Sequence, residues 1–180
     1  MQISKYTFRT RALPVILLVL LSATVASFGL VKTGERNKAY HLPPSQVKKI
    51  AHDTRSFTER EIIDYSLRLT ASKLSFHSRN DISNGKANCV GYARFCSSVC
   101  NTALSANKIK AKATPVVGYI TADGVNLCKL AESVMPKQSY KNFVKNHDFV
   151  ELRTSTTVYQ FDPCLYDVIG VSCLSKKPLH

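Results

Sequence analysis

The stretch NGKANCVGYARFC, Asn84 to Cys96, sets a small polar turn against a cysteine and then takes on the pattern of a helix. A buried cysteine is ordinarily inert core filler. A cysteine on the first turn of a helix is different, because unpaired N–H groups and the macrodipole favour its thiolate. Cys89 stands at that junction. The rest of the chain decides whether a thiolate there has partners.

The helix that begins at Cys89 runs to about Ala106. Val90, Ala93, Cys96 or Ser97, Cys100, and Ala103 or Leu104 fall on one stripe. Gly91, Ala93, Ala103 and Ala106 keep it slim, as suits a central helix, and Asn107 is placed to end it in the left-handed conformation. Upstream, Thr58 followed by Glu61 is a capping-box pattern. Ile62, Ile63, Leu67 and Leu74 recur behind it at helical spacing, which predicts a helix over Thr58–Leu74. HSRNDISNGKAN between the two helices reads as a loop.

Downstream, KAKATPVVGYI reads as a strand, with Pro115 placing its start near an edge or bulge. Asp123–Gly124 marks a turn. CKLAESVMPKQSYKNFVKN is mixed, a short helix and a covering loop. HDFVELR and TVYQFD are two strands joined by a polar turn, an antiparallel hairpin, and PCLYDVIGVSCLSKKPLH is an irregular tail. The succession predicts an α+β domain with helices packed on an antiparallel sheet.

The N-terminus stands apart. Lys5, Arg9 and Arg11 precede ALPVILLVLLSATVASFGLV, Ala12 to Val31, which carries no charge. A basic start, an apolar run and the small-residue patch Val25–Ser27 are the parts of a secretory signal. Ala12–Val31 also has about the 20 residues that span a bilayer, so signal peptide and membrane anchor both fit. Either way the domain is exported, periplasmic or extracellular. Residues 1–31 are assigned to this segment, 32–56 to a linker around Pro43–Pro44, and 57–180 to the folded domain.

Lys+Arg number 25 against Asp+Glu 12, and the excess persists beyond the N-terminal segment. Such a surface favours acidic polypeptides or glycans and anionic membranes. Export and the lack of a groove-reading motif argue against nucleic acid. The six cysteines, Cys89, Cys96, Cys100, Cys128, Cys164 and Cys173, invite a disulfide framework in an oxidising compartment. Three bridges would consume Cys89; two would leave it free together with one other thiol. Cys96 and Cys100, one helical turn apart, each pair with another element or simply pack. Their spacing, with no histidine pair beside them, is poor for zinc.

Cys89 at a helix start, His147 at the start of one strand and Asp162 at the end of the next form an ordered set. The two hairpin strand ends lie side by side, so His147 and Asp162 can hydrogen-bond. A helix packed across that end would face Cys89 to His147, the arrangement of nucleophile, base and orienting group that activates a thiol.

NCVGYARFCSSVCNTALSANKIKAKATPVVGYI, then NHDFVEL, then YQFDPCLYD resembles the transglutaminase-like (papain-like cysteine protease) superfamily over about Phe57 to Tyr166. The resemblance implies a papain-like/transglutaminase-like core, with Cys89 as nucleophile, His147 as general base and acid, and Asp162 orienting His147. It implies acyl transfer through a thioester, with a protein or peptide substrate and no metal or organic cofactor. With water as acceptor this is a cysteine peptidase or amidase; with a lysine amine it is a cross-linking transglutaminase. The small exported domain favours hydrolysis.

Departures from the family pattern bear on that reading. Asp148 and Phe149 follow His147 where Ala-Trp is common, and the chain has no Trp to stabilise an oxyanion. The Cys89 N–H can donate, and Asn84 or Asn88 is the candidate for a second donor. Cys164 follows Asp162–Pro163 where the family has threonine, which raises a disulfide tying the rim of the site. The competing reading is a non-catalytic peptide- or envelope-binding module on the same fold.

Overall fold

The computed structural model describes residues 28–36, 39–127, 146–172 and 175–179. The proposed cleavage patch Val25–Ser27, most of the apolar N-terminal run, the mixed segment 128–145, Cys128 and Cys173 lie outside the described residues. Among the described residues no helix is long and apolar enough to cross a membrane.

Among the described residues the architecture is mixed α+β, four helices and an antiparallel curled sheet. The strands are β1 (Phe28–Glu35), β2 (Ser75–Phe76), β3 (Lys86–Ala87), β4 (Lys112–Ala122), β5 (Val125–Asn126), β6 (His147–Arg153), β7 (Thr157–Phe161) and β8 (Ser175–Pro178). The helices are α1 (Pro44–Asp53), α2 (Glu59–Lys73), α3 (Cys89–Ala106) and α4 (Pro163–Ile169). The main sheet runs β1-β4-β6-β7-β8, with β5 turned back on the end of β4. Asp123 and Gly124 make that turn with φ of 48° and 81°, the paired positive values of a tight hairpin.

Helix α3 is the central element. Tyr92, Ala93, Phe95, Cys96, Val99, Cys100, Ala103 and Leu104 are all buried. They pack with Ile50 of α1, Ile62, Ile63 and Leu67 of α2, Val150 and Leu152 of β6, and Tyr159 and Phe161 of β7. Each such aliphatic burial stabilises the fold by roughly 1.5–3 kcal/mol relative to exposure. A smaller cluster, Leu30, Val116, Phe149 and Ile120, lies on the other face of the sheet, as strand alternation requires.

Helix α2 starts as its sequence predicts. Thr58 accepts from the Glu61 N–H, and the Glu61 carboxylate accepts from Thr58 N–H at 2.8 Å. Asn107 does not take the left-handed conformation; its φ is −93°. Its side-chain amide instead donates to the carbonyls of Ala103 and Thr54, both at 2.8 Å, and Lys108 takes the positive φ at 55°.

Pro115 lies within an interior strand, yet the chain treats it as a local edge. Its carbonyl accepts from Arg36 N–H at 2.9 Å on the β1 side, where β1 ends at Glu35. The proline's missing donor points the same way, past the last pair of that ladder.

Three segments differ from the sequence expectation. Phe28–Val31, assigned to the apolar N-terminal run, belongs to β1 and pairs with β4, with Leu30 buried. The segment assigned to a linker holds the rest of β1 and all of α1, where Pro44 occupies the first turn that lacks a need for its N–H. The tail assigned as irregular forms α4, capped by Asp162 and closed by Gly170 at φ 74°, and then β8. The described fold therefore includes β1 and α1 as well.

Candidate active site

The loop before Cys89 is built to present a helix end. The Asn88 side-chain oxygen accepts from Val90 N–H at 3.0 Å and from Gly91 N–H at 3.4 Å, a standard N-cap. Asn80 Oδ1 accepts from Asn88 N–H at 2.9 Å and fixes the cap in turn. Gly91 makes this approach possible, because a Cβ there would come within 2.4 Å of Asn80 Oδ1 and 2.7 Å of the Ala87 Cβ. Cys89 is the first helical residue and is half-buried. Its N–H has no partner among the described residues, as expected of the first turn.

His147 opens β6 and lies opposite Gly118 of β4. A Cβ at Gly118 would sit 1.8 Å from the Val31 carbonyl oxygen, so the close crossing of β1 and β4 beside the histidine requires glycine. His147 Nε2 is hydrogen-bonded to Asp162 Oδ2, and Cys89 lies near enough to the ring to raise its pKa. With Nε2 engaged by the carboxylate, Nδ1 is the nitrogen left for the thiol. Asp162 is fully buried, and its other oxygen accepts from Cys164 N–H at 2.9 Å and Leu165 N–H at 3.0 Å. One carboxylate thus caps α4 and holds the imidazole.

Burial works against a protonated His147, but the charge and hydrogen bond of Asp162, joined by those of Cys89, overcome it. The imidazole pKa is held well above its ordinary value. The three residues predicted from the sequence are thereby brought together in series. Such a series can keep an imidazolium beside a thiol and return its proton to a leaving group.

Beside them sits a pair the sequence did not suggest. Asp148, the residue after His147, is fully buried and accepts from Arg36 Nε at 2.9 Å and Nη2 at 3.2 Å. The hydrogen bond to Asp148 raises the Arg36 pKa; burial opposes it, and the charges of Asp148 and Cys89 add to it. Arg36 follows β1, whose existence was not expected, so nothing in the sequence placed it near His147.

The two asparagines considered as oxyanion donors are both engaged elsewhere. Asn84 donates to Asp81 at 2.9 Å, and the Asn88 amide donates to the Ser78 carbonyl at 3.4 Å. Each serves the loop.

Cys89, Cys96, Cys100 and Cys164 are all free thiols, so neither a three-bridge framework nor a rim disulfide at Cys164 forms. Burial pushes the Cys100 thiol up to about 12, and that of Cys96 higher still. Ser66 and Thr70 of α2 lie beside Cys100 and Cys96, their hydroxyls donating to the Ile62 and Ser66 carbonyls. These two thiols are packing groups. Cys164 is also raised, first by burial and then by the charges of Asp162 and Cys89. Among the described residues no group of three or more His, Cys, Asp or Glu side chains is gathered as a metal site.

Comparison with family models, with curated proteins and with solved structures returns no match to this chain.

Proposed function

We propose that the chain is an exported thiol acyl-transfer enzyme on a papain-like/transglutaminase-like core, a cysteine peptidase or amidase acting on peptide or isopeptide amide bonds. The observation that carries this reading is the series Asp162–His147–Cys89, with Cys89 at a capped helix start. The thiolate attacks the amide carbonyl, and the Cys89 N–H donates to the developing oxyanion. His147 gives its proton to the departing amine, leaving a thioester on Cys89. His147 then takes a proton from water, which hydrolyses the thioester and regenerates the thiol.

Export follows from the basic start and apolar run before the fold. That run fits either a signal cleaved at Val25–Ser27 or a membrane anchor. The excess of cations favours acidic peptide substrates or an anionic membrane surface as partners.

The engagement of Asn84 and Asn88 favours a second reading, a non-catalytic peptide- or envelope-binding module. Iodoacetamide alkylation of Cys89 against pH separates the two. The enzyme reading expects reaction with an apparent pKa well below the roughly 8.5 of a free thiol, lost in His147→Ala. An inert Cys89 would leave the binding module as the account.

A further inference from the structure

Tyr92 lies on α3 one helical turn beyond Cys89, and it is fully buried. Phenylalanine would fill the same volume without taking a hydroxyl out of water, which costs free energy unless the group is bonded. The hydroxyl reaches two acceptors. Asp167 Oδ2 of α4 lies at 2.8 Å, and the carbonyl of Leu74, which caps α2, at 3.1 Å. Its single proton goes to the nearer, charged acceptor. Burial, then the hydrogen bond and charge of Asp167, hold the phenol pKa above its ordinary value, so the group remains a donor.

Asp167 belongs to a helix of seven residues, too short to be stable by itself. The seat of α4 therefore rests on tertiary contacts. Cys164 and Tyr166 pack into the core cluster that holds Tyr92, and Asp167 receives the Tyr92 hydroxyl. At the start of α4, Asp162 holds the first turn through one oxygen and the His147 ring through the other. On the α3 side, Tyr92 N–H donates to the Asn88 carbonyl at 3.0 Å and closes the turn that contains Cys89. Printed in the fold is an unbroken set of contacts from the turn carrying the thiol, through Tyr92 and Asp167, to the carboxylate that orients the imidazole.

We propose that Tyr92 is a positioning residue for the thiol–imidazole pair, its hydroxyl setting α4 against the first turn of α3 through Asp167 and thereby the approach of His147 to Cys89. The proposal rests on the reading of Cys89 as a thiol activated by His147. Removing the hydroxyl leaves Cys89, His147 and Asp162 unaltered but frees α4 to shift, and a displacement of about 1 Å weakens such a pair.

Iodoacetamide alkylation of Cys89 is measured against pH in the full chain and in three variants, with urea midpoints on the same samples. Tyr92→Phe keeps the ring and removes the hydroxyl. Asp167→Ala removes an exposed acceptor, and Asp167→Asn keeps an oxygen able to receive the hydroxyl. Tyr92→Phe and Asp167→Ala are each expected to raise the midpoint of the pH–rate profile by about one unit, lowering the rate below it about tenfold. Asp167→Asn is expected to keep the parent profile. Loss of the Asp167 charge alone would move the midpoint the other way, since a nearby anion disfavours a thiolate.

Lower urea midpoints with an unmoved pH profile overturn the proposal and leave Cys89 a reactive thiol. Equal upward shifts in Asp167→Asn and Asp167→Ala overturn it too. If the parent shows no alkylation midpoint below the roughly 8.5 of a free thiol, the thiol-site reading fails and this one with it. Should Tyr92→Phe not fold, the two substitutions at the exposed Asp167 decide by the same criteria.

Discussion

Asp162 holds the His147 ring through one carboxylate oxygen and the first turn of α4 through the other. The two duties can be separated by substitution. Asparagine caps a helix about as well as aspartate, so Asp162→Asn keeps the oxygen that receives Cys164 and Leu165. It then sets an amide donor against Nε2, which forces the ring into the opposite tautomer and removes the imidazolium. Thiol reactivity at neutral pH is expected to fall by roughly 10²–10⁴-fold, and the urea midpoint to fall by the lost imidazolium–carboxylate pair alone, with the helix cap kept. Asp162→Ala loses the cap as well and is expected to be less stable by roughly 1–3 kcal/mol. Equal stability losses in the two variants would refute the division of duties.

The raised pKa of His147 links protonation to folding. The folded ring binds its proton more tightly than the unfolded one, whose pKa is about 6.5. The resulting stabilisation is complete below about pH 6.5 and is lost as pH rises through the higher folded value. Urea midpoints taken from neutral to alkaline pH are therefore expected to decline in the parent and to stay flatter in His147→Gln. Parallel profiles would show that Asp162 and Cys89 do not hold the charge on the ring.

Helix α3 and the β6–β7 hairpin were legible because each carries its own local signals. Asn88 caps the first, and alternation with a threonine-rich turn marks the second. The order of Cys89, His147 and Asp162 along these elements was legible for the same reason. β1 was not, because FGLVKTGE begins inside an apolar run and buries only Leu30, so no alternation distinguishes it. Pro44 reads as a break in the sequence, yet it occupies the one helical turn that tolerates proline. Asp162, Pro163 and Gly170 spell a complete start and stop for α4, but its seven residues are too few for helical periodicity to show. The Arg36–Asp148 pair joins residues 112 positions apart across the sheet, and only pairing of β1 with β4 brings them together.

Two glycines bear on the site from opposite sides. At Gly118 a methyl group would meet the Val31 backbone, which cannot move without breaking the β1–β4 ladder. Gly118→Ala is expected to cost more than about 3 kcal/mol, in the range of buried steric conflicts. At Gly91 the obstacle is the exposed Asn80 side chain together with the Ala87 methyl. Gly91→Ala is expected to displace the loop that fixes Asn88, lowering Cys89 reactivity more than global stability. Thermal unfolding and alkylation rates on the same samples distinguish the two patterns.

Cys89 differs from Cys96 and Cys100 in environment more than in sequence. All three lie on α3, and Cys96 and Cys100 are fully buried against Ser66 and Thr70 with thiols that stay protonated through physiological pH. A neutral, inaccessible thiol offers neither the thiolate nor the approach that alkylation requires. Brief exposure of the native chain to iodoacetamide near neutral pH, followed by peptide mapping, is expected to mark Cys89 and spare Cys96 and Cys100. All three react once the chain is unfolded in denaturant. Cys96→Ala and Cys100→Ala are expected to remove packing volume and lower stability by about 1–2 kcal/mol while leaving the Cys89 rate in place. Labelling of Cys96 at a rate comparable to Cys89 would mean that α3 opens readily from α2. That result would overturn the packing described for this interface, whatever chemistry Cys89 performs.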